Sequence, residues 1–90
     1  MTNEEIVERG IHAQEVLTNP TVQIVVDDLI KIITDSFLGS APHDEEARKR
    51  AYYAYQGVKD IVGLLNQMIA AKDQVIQAMK ANEEVEIEDR

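Results

Sequence analysis

The chain has no cysteine and no tryptophan, and its 90 residues include one phenylalanine, three tyrosines and two prolines. Without cysteine it can form neither a disulfide framework nor a thiolate zinc site. Its apolar content is mostly Ile, Val, Leu and Ala, and a monomeric core in a chain of this length is small. Small chains of this kind often gain stability by associating, so we expect an oligomer.

Long apolar runs are also missing, since no stretch approaches the ~20 residues that span a bilayer. The N-terminus carries two glutamates among its first five residues and lacks the basic start and apolar core of a signal peptide. The net charge of −8 disfavours binding to nucleic-acid phosphates and to anionic membranes. We therefore expect a soluble intracellular protein without nucleic-acid or membrane partners.

The dominant pattern in the sequence is a heptad repeat in its second half. Ten positions step alternately by four and three residues, and nine of them are apolar. This heptad seam consists of Ala47, Ala51, Ala54, Val58, Ile61, Leu65, Met68, Lys72, Val75 and Met79. The pattern predicts one helix, about 50 Å long over this run, with a narrow apolar stripe.

Two shorter helices are predicted before the seam. Thr2 and Glu5 form a capping box for a first helix from Asn3 to about Leu17, within which Gly10 favours either close approach of another helix or a kink. Asn19 and Pro20 are typical of the start of a second helix, which ends near Leu38. Because residues 21–26 are rich in β-branched side chains, a strand there is the alternative, and the caps and the total length favour a helix.

The third helix is expected to start at Asp44, after a loop containing Gly39 and Pro42, and to continue to about Ala81. Residues 1–82 are predicted to form a single helical domain, and residues 83–90 an acidic, flexible tail. The fold class is therefore all-α, a helical hairpin with a short N-terminal helix, a middle helix and a long C-terminal helix.

The second helix covers the seam only to about Leu65. The second half of the seam, Met68 to Met79, therefore has two possible partners, the first helix or another subunit. A second row of apolar residues at seven-residue spacing, Tyr55, Val62, Ile69 and Ile76, lies beside it. One neighbouring helix cannot cover both rows, so we predict a homo-oligomeric helical bundle. The predicted interface residues are Val25, Leu29, Ile33, Phe37, Val58, Ile61, Leu65, Met68 and Val75.

No pattern in the sequence indicates catalysis, a metal or a cofactor. The two histidines, His12 and His43, are isolated, and no HExxH motif or glycine-rich phosphate loop is present. Ser40, His43 and Asp44 have the residue types of a hydrolytic triad but lie in one short loop without a glycine elbow. We predict no catalytic residues, no metal site and no cofactor.

The most site-like stretch combines tyrosines with cations on one helical face. Arg48, Tyr52, Tyr55 and Lys59 follow helical spacing, and such a face can stack a base and hold a phosphate at a subunit boundary. The alternative is that both tyrosines flank the seam and cover the core, while the cations balance nearby glutamates. The sequence leaves both interpretations open.

Two motifs resemble those of a known group of proteins. The resemblance spans roughly residues 4–70 and is carried by Glu8-Arg9-Gly10-x-x-Ala13-x-x-x-Leu17-x-Asn19-Pro20 and by Asp44-x-x-Ala47-Arg48-x-x-x-Tyr52. These resemble small, acidic, all-helical proteins encoded near the portal and capsid genes of tailed bacteriophages, most of which have no assigned activity. Phe37 departs from the tryptophan expected in many relatives, and the second helix is more apolar than expected.

The resemblance implies a non-enzymatic virion or assembly accessory protein that acts through helix-mediated self-association. Its implied partners are copies of itself and other phage structural proteins, and its implied location is the virion or the cytoplasm of the bacterial host. One alternative is a phage-encoded inhibitor or nucleotide-sequestering module directed against a host defence. Another is an acidic inhibitor that mimics DNA through residues 83–90.

Overall fold

The computed structural model describes the backbone of residues 1–88 and the side chains of residues 1–83. Three α-helices make up most of this part of the chain: α1 (Asn3–Thr18), α2 (Pro20–Gly39) and α3 (Glu45–Glu88). The described residues contain no strand. The all-α prediction is confirmed. Residues 21–26, for which a strand was the alternative, are part of α2.

The predicted caps fix the starts of α1 and α2. The amide of Glu5 donates to Thr2 Oγ1 at 3.1 Å, and the Thr2 hydroxyl donates back to the Glu5 carboxylate at 3.1 Å. Asn19 Oδ1 accepts from the amides of Thr21 at 2.9 Å and Val22 at 3.2 Å. Each cap satisfies amides that have no partner inside the helix, so the local sequence alone sets where these helices begin.

The loop between α2 and α3 is also closed by side chains. The Ser40 hydroxyl donates to the Phe37 carbonyl at 2.6 Å, and Asp44 Oδ1 accepts from the Ala47 amide at 3.1 Å. These contacts end α2 and begin α3 as predicted. The far end of α3 differs from the prediction, because the helix continues past Ala81 to Glu88 through glutamates that favour helix and without glycine or proline.

The chain divides into two compact units, each containing part of α3. The α1 unit comprises Met1–Val16 and Leu64–Arg90, and the α2 unit comprises Leu17–Gly63. The single domain over residues 1–82 stays a prediction. So does the flexible tail over residues 83–90, since Asp89, Arg90 and the side chains of residues 84–88 lie outside the described part of the chain.

In the α1 unit, α1 lies close against α3 because its contact residues are small. A Cβ atom on Gly10 would lie 2.8 Å from the Met68 carbonyl oxygen and closer still to the Cβ of Lys72. Ala13, one turn further along α1, is 3% exposed. Gly10 therefore serves close approach of a neighbouring helix, which was one of its two predicted roles.

Lys72, the single polar residue of the heptad seam, is buried in this contact. Its Nζ donates to Gln14 Oε1 on α1 and lies 3.4 Å from a carboxylate oxygen of Asp73. A buried ammonium group needs such partners, because an unpaired charge in an apolar contact is costly.

In the α2 unit, α2 faces α3 with larger side chains, and none of its residues is fully buried. Ile33, Phe37 and Ala51 line one cleft between the two helices, while Val22 and Val62 line another. Ile33 is thus level with Ala51, and Val22 with Val62. This pairing shows that α2 and α3 run antiparallel as a helical hairpin within this unit.

The packing of α3 is best described by three rows of residues that run along the helix. The seam divides into two rows. The central row is Ala51, Val58, Leu65, Lys72 and Met79, and the outer row is Ala47, Ala54, Ile61, Met68 and Val75. In the α2 unit, Ala51 of the central row is buried and Val58 is half-buried. Of the flanking rows, Ala47 and Val62 are half-buried, while Ala54, Tyr55 and Ile61 are exposed. In the α1 unit both flanking rows are half-buried. The hairpin of the α2 unit thus covers the second row at Val62 and leaves Ala54 and Ile61 of the outer row open.

Candidate interaction surface

One side of α2 exposes a row of large apolar side chains. Val25, Leu29 and Ile32 are 51%, 42% and 60% exposed, and their spacing places them on one helical face. Two of these residues, Val25 and Leu29, are among the predicted interface residues. Ile32 is not among them.

On the same side of the α2 unit, α3 contributes mostly small residues. A cleft of about 330 Å³ is lined by Ile32 of α2 together with Ala47, Arg50 and Ala54 of α3, which places Ile32 beside the outer row. Ile61, further along α3, is 65% exposed. Between them, Gly57 is exposed, and a Cβ added there would meet no atom within 4 Å.

These residues form one apolar surface within the α2 unit, which we name the open face. It consists of Val25, Leu29, Ile32, Ala54, Gly57 and Ile61. Exposed apolar clusters of this kind mark sites of protein association, because covering them removes apolar surface from water. Arg50 lines the cleft at one end of the face.

The α1 unit has two apolar grooves of its own. One, of about 210 Å³, is lined by Ile6, Leu64 and Met68 with Arg9 beside them. The other, of about 420 Å³, is lined by Val7, Ile11, Ile76 and Met79, with Glu4, Glu8 and His12 at its edge. Both grooves combine apolar and charged residues, and the cleft at Ile32 likewise includes Ser36 and Arg50.

The other predicted interface residues lie mainly in contacts within the chain. They are half-buried and comprise Ile33, Phe37, Val58, Leu65, Met68 and Val75. Ile33 and Phe37 line the cleft that also contains Ala51, so they face α3 of their own hairpin. The role of these six residues between subunits stays a prediction. The open face instead contains Ile32, Ala54 and Gly57, which were not among the predicted interface residues.

The predicted ligand-binding residues lie on the other side of the hairpin. Tyr52 and Tyr55 line a cleft of about 390 Å³ together with Phe37 and Leu38. The Arg48 guanidinium lies 4.5 Å from the centre of the Phe37 ring, and the Lys59 ammonium lies 5.7 Å from that of Tyr55. A nucleotide bound here would have to draw both cations away from aromatic rings of their own chain. Nucleotide binding stays a prediction.

The contact between Arg48 and Phe37 was not found from the sequence. Its signal is weak, because it depends on the short loop that brings the last turn of α2 beside the first turn of α3. The sequence features that indicate this contact are an aromatic residue before the loop and a cation after it. This contact holds the two helices together at the loop end of the hairpin.

The polar residues of the loop are used locally. The Ser40 hydroxyl donates to the Phe37 carbonyl, and the Asp44 carboxylate caps α3, so neither is positioned by His43. His12 and His43 are both exposed. Within the described residues, no three His, Cys, Asp or Glu side chains are grouped to hold a metal ion.

Comparisons with known proteins identify no relative of this chain. No family model matches the chain, and neither curated proteins nor solved structures give a significant match. The resemblance to bacteriophage proteins therefore stays a prediction. In the described part of the chain, no helix combines the length and the hydropathy needed to cross a bilayer.

Proposed function

We propose that this protein is a non-enzymatic helical protein that acts by associating with copies of itself and by binding other proteins through its apolar helix faces. The resemblance of its motifs to tailed-phage proteins supports a role for this activity in a virion or in its assembly. Other phage structural proteins are then its further partners, in the virion or in the host cytoplasm.

The observation that carries the proposal is the small amount of apolar burial in one copy. Among the described residues, Ala13 and Ala51 are the only buried hydrophobic residues, and no large side chain is fully buried. Burial of Leu, Ile and Val side chains is what normally offsets the conformational entropy lost on folding. A second source of burial is therefore needed.

The total exposed area supports the same conclusion. The chain exposes 7200 Å². A monomeric folded protein of this mass exposes about 5,300 Å², so the excess is about 1,900 Å². Stable complexes bury about 800 Å² on each partner, so the excess is sufficient for association.

The test is the molar mass in solution, measured by light scattering over a hundredfold range of protein concentration. We expect a multiple of 10.1 kDa. We also expect a melting temperature that rises with concentration, because association stabilises the folded state by mass action. A folded monomer at the highest concentration, with a melting temperature independent of concentration, would contradict the proposal.

A further inference from the structure

We propose that the open face is covered by a second copy of this chain in a crossed arrangement. The row Val25, Leu29 and Ile32 on α2 of each copy lies on the row Ala54, Gly57 and Ile61 on α3 of the other. The product is a two-fold symmetric four-helix dimer. This inference rests on the proposed self-association and specifies the partner, the surface and the pairing of helices.

The sizes of the side chains favour this pairing. The α2 row is formed by three large side chains, whereas the α3 row contains an alanine and a glycine beside Ile61. Placing α2 on α3 of the other copy sets Leu29 and Ile32 against Ala54 and Gly57, so that large residues fill the space above small ones. Placing α2 on α2 opposes large residues, and placing α3 on α3 leaves gaps between small ones.

The open space at Gly57 fits the same arrangement. Nothing in its own chain lies within 4 Å of a Cβ added there, although glycine weakens a helix interior by about 1 kcal/mol relative to alanine. A helix packed against this position explains that cost, because the missing side chain lets the two backbones approach closely.

The charges of the two helices also favour the pairing of α2 with α3 of the other copy. The charged residues of α2 are three aspartates and one lysine, whereas α3 begins with the cationic run Arg48-Lys49-Arg50 after two glutamates. Pairing α2 with α2 of the other copy would bring aspartates together. Pairing α2 with α3 places an acidic helix on a cationic segment.

The register of the hairpin identifies which charges meet. Within one copy Ile33 is level with Ala51, so Asp35 is level with Lys49, because the helices are antiparallel. A two-fold axis parallel to the helices leaves these levels unchanged. In the crossed dimer, Asp35 of one copy therefore lies near Lys49 and Arg50 of the other, at two symmetry-related contacts on the same level of the bundle.

A matched pair of glycine variants tests the surface. Gly57 and Gly63 both lie inside α3, and a Cβ at either position meets nothing within 4 Å of its own chain. They point in directions about 120° apart around the helix, and Gly57 alone lies on the open face. We expect Gly57→Gln to raise the dissociation constant at least tenfold with helicity unchanged, and Gly63→Gln to change it less than twofold. Equal effects of the two variants would overturn the inference.

A charge-exchange experiment tests the pairing of helices. Asp35→Lys alone, or Lys49→Glu with Arg50→Glu, places like charges together at both contacts of a homodimer. A mixture of the two variants restores opposite charges at one contact and keeps the native charges at the other. We expect native mass spectrometry of the mixture to show the heterodimer at least tenfold above either homodimer. Statistical mixing, or no heterodimer at all, would overturn the inference.

The outcomes also separate this inference from the proposed function. A wild-type protein that stays monomeric overturns both. An oligomeric wild type whose dissociation constant is unaffected by Gly57→Gln overturns the crossed dimer alone and leaves self-association standing.

Discussion

The two shorter helices contact α3 in different ways. In the α1 unit, Gly10 and Ala13 allow α1 to lie close to α3, and the hydrogen bond between Lys72 and Gln14 joins the two helices. In the α2 unit, larger side chains such as Ile33 and Phe37 separate α2 from α3 and remain half-buried. Small residues therefore give a closer contact than large ones.

This difference decides which surface remains available. Both rows that flank the central row of α3 are half-buried in the α1 unit, whereas Ala54 and Ile61 are exposed in the α2 unit. An apolar row that is left open on a helical hairpin is a surface for another molecule. The comparison thus locates the closer internal packing in the α1 unit, and it is the α2 unit for which we propose association.

The largest expected loss of stability comes from Leu65→Asp in the α1 unit. Ile61→Asp in the α2 unit is the variant with which it is compared. Leu65 is half-buried in the central row, so a carboxylate there should cost about 3 kcal/mol of unfolding free energy at every protein concentration. Ile61 is mostly exposed, so its variant should lose stability only through weaker association.

Urea denaturation followed by circular dichroism, repeated at several protein concentrations, separates these two outcomes. The loss caused by Ile61→Asp should disappear as the concentration rises, while that of Leu65→Asp should persist. If both losses vary with concentration in the same way, the division between internal packing and association is wrong.

A smaller effect is expected from Gly10→Ala, which tests the close contact of α1. The added methyl group would collide with the Met68 carbonyl and with Lys72, so we expect a net loss of about 2 kcal/mol. Gly63→Ala is the control, because its methyl group meets open space and should stabilise the helix by about 0.5–1 kcal/mol. Thermal unfolding of both variants measures the difference, and a gain in stability for Gly10→Ala would refute the close contact.

The smallest effect is expected from Asn19→Ala, which removes the cap of α2. The amides of Thr21 and Val22 lose their acceptor, so the unfolding free energy should fall by about 1 kcal/mol. Asn66→Ala, at an exposed position of α3, is the control and should not be destabilising. A loss of the same size in both variants would show that the cap does not stabilise α2.

The parts of the fold that depend on neighbouring residues were predictable. Thr2 with Glu5, and Asn19 with Pro20, indicate helix starts because each cap acts within a few residues of the sequence. The continuity of α3 across Gly57 and Gly63 follows from its heptad repeat. Gly10 was predicted to allow either close approach or a kink, and only the position of α3 chose between them.

The parts that depend on distant residues were not predictable in the same way. Gln14 and Lys72 are 58 positions apart, and nothing local pairs them. The open face also escaped prediction in part, since Val25, Leu29 and Ile61 were identified but Ile32, Ala54 and Gly57 were not. Small residues carry little hydrophobic signal, although they shape a surface as much as large ones.

The sequence by itself determined three helices and their starts, because capping and helical periodicity act over a few neighbouring residues. It also determined that α3 has more apolar surface than one short helix can cover. Only the tertiary structure decided between the two rows that flank the central row: the hairpin half-buries Val62 of the second row and leaves Ile61 of the outer row exposed. The physical reason is that both rows flank the same central row, so the choice depends on the size and placement of side chains on α2.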